Sequence, residues 1–165
     1  MNTLRFIVLI FLFILTVSLQ SQTELNWNII YKLTSAKNDS IGDVPGHVMG
    51  SAEGIGLGFF TDKSVGIMSG YFTFDYINGS GNFQAYYTLS FDDGSAFTIK
   101  TINTTALYEP KLEKTSFEGG IEFVSGKGRF AAISGKGTLK GKRTMGIETG
   151  AAVYLEINST YELYK

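Results

Sequence analysis

The sequence contains no cysteine, which excludes disulfide bonds, cysteine nucleophiles and thiolate metal sites. It has two prolines, one tryptophan and one histidine, so no second histidine is present to share a metal ion. Lys and Arg number 14 against 15 Asp and Glu, and no run of one sign occurs. Nucleic acid would call for a basic patch, and nothing in this charge pattern favours it as a partner.

Glycine and aromatic residues are abundant instead. The chain of 165 residues has 20 Gly, 13 Phe and 9 Tyr, and its length suffices for one domain with a real core. Aromatic residues are enriched in strands, and glycines spaced along the chain mark reversals of direction. The composition therefore predicts β-structure and makes low-complexity disorder a poor interpretation.

Residues 1–22 have the anatomy of a signal peptide. Arg5 precedes an apolar run over residues 6–17 that only Thr16 interrupts, and residues 18–22 are small and polar. A transmembrane helix would need roughly 20 apolar residues, more than this run supplies. We predict a cleaved signal peptide at 1–22, a mature start near Gln22 or Thr23, a secreted or periplasmic location, and one barrel domain over 23–165.

Apolar and polar residues alternate along most of the remaining chain. The predicted strands are residues 25–34, 52–60, 65–77, 82–91, 96–108, 115–125, 136–146 and 150–164. Residues 35–50 are predicted to be a loop, and Gly54, Gly56 and Gly58 leave one strand face bare for a tight bend or a close backbone approach. The pattern predicts an all-β fold, a single antiparallel eight-stranded barrel without long helices. Its interior would hold side chains or one small ligand.

Three blocks of sequence occur in the order typical of one family. They are VGIMSG at 65–70, FQAYYTLSFDDGS at 83–95 and GGIEFVSGKGRFAAISGKGTL at 119–139. Together they resemble allene oxide cyclase and, more distantly, the dirigent proteins that share its barrel. The resemblance implies an eight-stranded antiparallel barrel, a largely apolar lumen open at one end, and a homo-oligomer, commonly a trimer.

The sequence departs from this family at the position of its chemistry. The plant cyclase converts an unstable fatty-acid epoxide into a cyclopentenone with the help of a first-strand glutamate, and Lys32 stands where that glutamate would be. The family's lumen cysteine would fall near Phe72. Because lysine reverses the sign of the charge, we predict no catalytic residues and no cyclisation of fatty-acid epoxides. Glu118 and Glu122, which could compensate, are expected to point to solvent.

Aromatic residues are the best candidates for a binding lumen, because an aromatic body with a polar hydroxyl suits an amphipathic guest. The predicted ligand-binding residues are Tyr31, Tyr71, Phe72, Tyr86 and Tyr108. Ordinary filling of the barrel and packing on its outer face is the alternative.

Other polar groups have plainer interpretations. His47 is either a structural loop residue or a proton donor at the barrel mouth, and residues 92–95 are a hairpin turn rather than a calcium site. A group of cations predicts a solvated face or, alternatively, a patch for an anion or partner: Lys127, Arg129, Lys136, Lys140, Lys142 and Arg143. No metal and no cofactor is predicted.

Three functions remain open from the sequence. The first is a secreted, non-catalytic β-barrel that binds a small hydrophobic molecule in its lumen. The second is a structural or interaction barrel that assembles through its outer face, and the third is an isomerase or cyclase using residues other than the family's. The expected partners are a small hydrophobic ligand and further copies of the chain, with no nucleic acid and, after signal removal, no membrane.

Overall fold

The computed structural model describes residues 22–164, so the predicted signal peptide lies outside the described residues except for Gln22. Eight strands account for most of this part of the chain. They are β1 (Thr23–Ser40), β2 (His47–Phe60), β3 (Val65–Ile77), β4 (Ser80–Ser90), β5 (Ala96–Glu109), β6 (Lys114–Lys127), β7 (Ile133–Thr144) and β8 (Ala152–Leu163).

The strands form a closed barrel in sequence order. Each is antiparallel to the next, and β8 returns to pair with β1, with Trp27 opposite Ile157. The predicted all-β class and the single eight-stranded antiparallel barrel are therefore confirmed. The helices of residues 22–164 are two short 3-10 turns, Pro110–Leu112 and Gly128–Phe130. No helix in this part of the chain is long and apolar enough to cross a bilayer.

The strand boundaries agree best where alternation is strong. The prediction for β3 is confirmed to the residue, whereas the loop predicted at 35–50 is wrong over most of its length. β1 continues to Ser40 and pairs with the start of β2, so only residues 41–46 connect them. This part of the hairpin extends past the core and is mostly exposed, so its ladder of backbone hydrogen bonds supports it without an apolar pattern.

Glycines at the centre of β2 create space inside the barrel. A Cβ atom on Gly54 would lie 2.8 Å from Cδ2 of Tyr31, and one on Gly58 would lie 2.4 Å from Cδ2 of Leu89. The bare strand face therefore lies in the lumen, where larger side chains from neighbouring strands fill it. It offers no flat surface for assembly on the outside.

The lumen has two different ends. At the Trp27 end, aromatic rings pack closely: the Trp27 ring stacks on Phe60 at 5.5 Å, and Phe97 meets Phe130 edge to face at 4.9 Å. The Arg143 end is at the opposite mouth, where β7 ends and residues 145–151 lead into β8. Its lining combines rings with hydroxyl groups and one guanidinium. This difference positions the candidate site.

Candidate functional site: the Arg143 end of the lumen

A small cavity lies in the Arg143 end. About 30 Å³ is open to the centre of a water-sized sphere, which is room for about two water molecules. Its lining is mainly apolar and aromatic, and none of the described lining residues is Asp or Glu. The lining residues are Tyr31, Leu33, Ala52, Phe72, Phe74, Tyr76, Phe83, Tyr87, Phe117, Arg143, Ile147, Val153 and Leu155.

Arg143 is the one charged residue of this lining. Alternation along β7 turns Leu139, Gly141 and Arg143 to the same side, and Arg143 is only 6% exposed. Its Nε donates a hydrogen bond to the Met145 carbonyl oxygen at 3.1 Å, and a terminal nitrogen donates to Thr115 Oγ1 at 3.3 Å. The guanidinium carbon lies 5.6 Å from the ring centre of Phe117. Burial lowers the pKa of Arg143, since desolvation disfavours its charged form.

Three tyrosines share the cavity with Arg143. Burial raises the pKa of Tyr76 to about 12 and raises the pKa values of Tyr31 and Tyr87 further, so all three hydroxyls keep their protons at neutral pH. The Tyr31 ring stacks on Phe72 at 5.4 Å. The Tyr87 hydroxyl is fully buried and makes no hydrogen bond of good geometry among the described residues, although the neighbouring Tyr31 hydroxyl contributes to the raised pKa of Tyr87. The tyrosines therefore present hydrogen-bond donors to the cavity.

The loop over residues 145–151, here called the β7–β8 loop, covers this mouth. Ile147 packs against the core, half-buried, and lines the cavity. The loop is held by Arg143 at Met145 and by the backbone N–H of Gly150, which donates to the Leu33 carbonyl oxygen at 2.7 Å. Gly150 has a φ of +90°, in the region that glycine adopts at no steric cost. Ile147 is thus the one described residue of this loop that lines the cavity.

The structure divides the residues predicted to bind ligand. Tyr31 and Phe72 line the cavity, whereas Tyr71 and Tyr86 lie opposite each other on the outer face, 50% and 42% exposed. Neighbouring residues of a strand point to opposite faces. Each of these two tyrosines precedes a residue that faces the lumen, so its own side chain lies outside. Tyr108 is partly buried beside the turn at Gly79, away from the cavity lining.

Tyr76, Tyr87 and Arg143 also line the cavity, although they are not among the five predicted ligand-binding residues. Arg143 was grouped with surface cations, an assignment that its burial contradicts. Counting alternate positions from Leu139 places Arg143 on the inward side of β7.

Lys32 does not reverse the charge of the lumen, because it lies on the outer face between inward-facing Tyr31 and Leu33. The prediction that Lys32 stands in place of a lumen carboxylate is therefore wrong, and the cation that lines the cavity is Arg143. The expectation for the glutamates is confirmed. Glu118 is exposed, and Glu122 pairs with Lys100 at 2.5 Å outside the barrel.

His47 connects two carboxylates at the rim of the same mouth. Its Nδ1 lies 2.5 Å from Asp43 Oδ1 and its Nε2 lies 2.7 Å from Asp75 Oδ1. Both partners can only accept, so the ring carries a proton on each nitrogen. The hydrogen bond to Asp43, followed by that to Asp75, raises the pKa of His47, and the bond from His47 lowers the pKa of Asp43. His47 is absent from the cavity lining, and this geometry favours its structural interpretation.

The other polar motifs are also structural. Asp93 accepts a hydrogen bond from the backbone N–H of Ser95 at 2.9 Å, and Gly94 has a φ of +78°, as expected for a hairpin turn. Within residues 22–164, no group of three or more His, Asp and Glu residues has an arrangement that could hold a metal ion.

A second feature lies outside the barrel. Large apolar residues on the outer face of β1, β2 and β3 are 40 to 57% exposed and adjacent across the strands; this apolar face comprises Ile30, Ile55, Leu57, Phe59, Val65 and Ile67. Leu57 lies opposite Ile30 on one side and Ile67 on the other. Contiguous exposed patches of this kind mark interaction surfaces more often than isolated apolar residues do.

Comparisons with known proteins add little to this geometry. No protein-family model matches the chain, and no curated protein is similar to it by sequence. Among solved structures, the pterocarpan synthase dirigent protein GePTS1 is similar at 14% identity, with a TM-score of 0.49 and coverage of 88% of each chain. The barrel described above is defined by its own strand pairing and is the one that the sequence resemblance implies.

Proposed function

We propose that this protein is a secreted, non-catalytic β-barrel that binds one small hydrophobic molecule in the Arg143 end of its lumen. The observation that carries the proposal is the buried hydroxyl of Tyr87, which faces an apolar cavity and has only the Tyr31 hydroxyl beside it, with no hydrogen bond of good geometry. Buried polar groups are nearly always hydrogen-bonded, so an exception in a cavity calls for a guest that completes it. A mostly apolar lining with a few convergent polar groups is also typical of small-molecule sites.

The cavity must enlarge to hold such a guest. Its 30 Å³ is far below the roughly 150 Å³ in which an engineered apolar cavity holds benzene. Ile147 is the readiest side chain to move, because it belongs to a loop that few hydrogen bonds hold. We therefore propose that the guest enters from the β7–β8 loop and takes the place of Ile147 against the core.

Methyl-resolved NMR titration with 1-octanol tests this proposal. The methyl signals of Leu33, Val153 and Leu155 should shift saturably, while the Trp27 indole signal at the opposite end should not. Ala52→Val adds two methyl groups inside the cavity and should weaken binding; Ala152→Val makes the same change on the outer face and should leave it unchanged. An absence of saturable shifts at the Arg143 end, or equal binding by both variants, would refute lumen binding.

We also propose that the protein is exported. β1 begins at Thr23, so removing residues 1–22 would leave all eight strands intact. Intact-mass measurement of protein recovered from outside the cytoplasm of its host should find a start near Gln22 or Thr23. Exported protein that retains Met1 would contradict this.

The apolar face supports a second candidate function, assembly with further copies of the chain. Exposed Lys32 and Glu53, which have opposite charges, lie near Ile55 at one end of the face, so a second copy could pair with both while covering the apolar side chains. Leu57→Glu should shift sedimentation equilibrium towards the monomer. Leu107→Glu, which changes an even more exposed leucine on β5, should not, and a monomeric wild-type protein at high concentration would overturn the assembly.

A further inference from the structure

We propose that Arg143 makes the lumen selective for an anion, so that the guest is a small apolar molecule with a carboxylate head. This inference rests on the proposed function and narrows it to one class of ligand. It starts from the placement of an almost fully buried guanidinium in a cavity whose described lining contains no carboxylate.

Every ionisable side chain that lines the cavity can donate a hydrogen bond, and only the guanidinium cannot accept one. Two N–H groups of Arg143 are engaged, by the Met145 carbonyl and by Thr115, and the guanidinium's remaining donors have no acceptor among the described residues. Tyr31, Tyr76 and Tyr87 add hydroxyl groups that stay protonated. A guest that only donates hydrogen bonds could use the hydroxyl oxygens but not the guanidinium, whereas a carboxylate can accept from both kinds of group.

Electrostatics favour the same ligand. A buried unpaired cation is unfavourable, because it has lost water without gaining a counter-ion. Pairing with a carboxylate offsets this loss, and the planar guanidinium fits two carboxylate oxygens at once. Phe117 beside the guanidinium stabilises the cation only weakly, since a ring supplies a quadrupole rather than a charge.

The same side chain also holds the loop that covers the cavity. A carboxylate that binds the Nε side of the guanidinium competes with the Met145 carbonyl for the Nε–H donor. Its arrival would therefore release the end of the loop from which Ile147 extends over the cavity. Anion binding and widening of the cavity are coupled through one hydrogen bond.

The test compares octanoate with 1-octanol, which share an eight-carbon chain and differ in the charge of the head. Each is titrated at pH 7 into the mature protein and followed by NMR, including the Nε–H signal of Arg143. We expect octanoate to bind at least about tenfold more tightly and to shift the Nε–H signal, because the charge-assisted pair forms only with the anion. The signal should move much less with 1-octanol.

Arg143→Met removes the charge while keeping an apolar chain of similar length, and it should abolish the preference for octanoate without abolishing 1-octanol binding. Lys142→Met is the matched control, because Lys142 is the adjacent exposed cation and lies over the Tyr154 ring on the outside. If Arg143→Met does not fold, Arg143→Lys serves instead. Lysine keeps the charge but cannot bind both carboxylate oxygens in one plane, so it should partly reduce the preference for octanoate.

The outcomes separate the two proposals. Equal affinities for the two probes, a preference that survives Arg143→Met, or an unmoved Arg143 Nε–H signal would overturn anion selectivity and leave apolar binding standing. Failure of both probes to bind the wild-type protein would overturn the proposed function and this inference with it.

Discussion

Tyr87→Phe is expected to stabilise the protein, against the usual trend for buried substitutions. The hydroxyl of Tyr87 is fully buried and makes no hydrogen bond of good geometry among the described residues, so the nearby Tyr31 hydroxyl compensates its desolvation only weakly. Phenylalanine removes that one oxygen and keeps the ring. The ring's contacts with Tyr31 and Phe72, at 6.0 and 5.4 Å between centroids, are retained.

The size of the effect follows from the cost of an unsatisfied polar group. Leaving one buried costs about 1–3 kcal/mol, and the void left by a single oxygen returns part of that gain. We therefore expect the free energy of unfolding to rise by about 1 kcal/mol, with a melting temperature higher by about 3 °C for a chain of this length. The same variant should weaken octanoate binding, because it removes one donor from the site.

Denaturant unfolding of the mature protein measures the change, with Tyr154→Phe as the control. The Tyr154 hydroxyl is on the outside and donates to Glu156 at 2.9 Å, so its loss should lower stability slightly. A loss of more than about 1 kcal/mol in Tyr87→Phe would refute the reasoning, since it would mean that the hydroxyl makes a real hydrogen bond in the folded protein.

Two further predictions concern His47 at the rim and Gly56 on β2. Because the pKa of His47 is raised in the folded protein, the stabilisation from its hydrogen bonds should be complete below about pH 6.5 and lost as the pH rises through the pKa of the folded state. Because the pKa of Asp43 is lowered, the same stabilisation should also fade as the pH drops below about 4. The difference in unfolding free energy between wild type and His47→Asn should thus peak near pH 5, and a difference that is constant from pH 5 to 9 would count against the bridge. Gly56→Ala should lower the free energy of unfolding by more than about 2 kcal/mol, because the new Cβ would lie 2.1 Å from the Ile30 carbonyl oxygen. Gly120→Ala is the control: its Cβ would lie 3.4 Å from the nearest atom, so thermal unfolding should show a loss within about 1 kcal/mol. Equal losses in the two variants would show that the Gly56 backbone can relax.

The barrel was predictable because its strands carry two independent signals. Alternation of apolar residues gives β3 and β4 their inward faces, and turn residues such as Gly79 and Gly94 give the reversals between strands. Where only one signal is present, prediction failed. The polar end of β1 has no apolar stripe, and its turn-type residues Asn38, Asp39 and Ser40 favour a loop, so its pairing with β2 is visible only once the register is known.

The site was harder to predict than the fold, because it depends on which face of each strand turns inward. Tyr71 and Phe72 have equally suitable side chains, yet only Phe72 enters the lumen. Residue type also misleads: a cation such as Arg143 is expected on the surface, and its inward position follows only from its register with Leu139. Nothing local to Arg143 predicts that Thr115 and the Met145 carbonyl will receive its hydrogen bonds.

The exceptions to ordinary packing rules are unevenly distributed along the lumen. At the Trp27 end, stacked and edge-to-face rings fill the space, the Arg129 guanidinium lies 4.5 Å from the Phe91 ring centre, and the Trp27 Nε1–H is the one buried side-chain polar atom of the described residues there that lacks a partner. At the Arg143 end lie a buried cation without a counter-ion and a hydroxyl without an acceptor, under a loop in which Met145 has a φ of +148°. Folding alone would select against each of these features, and natural chains keep such costs chiefly where function requires them. Tyr87→Phe and Arg143→Met separate the two requirements, because the first should gain stability and each should lose affinity for a carboxylate at the same end of the barrel.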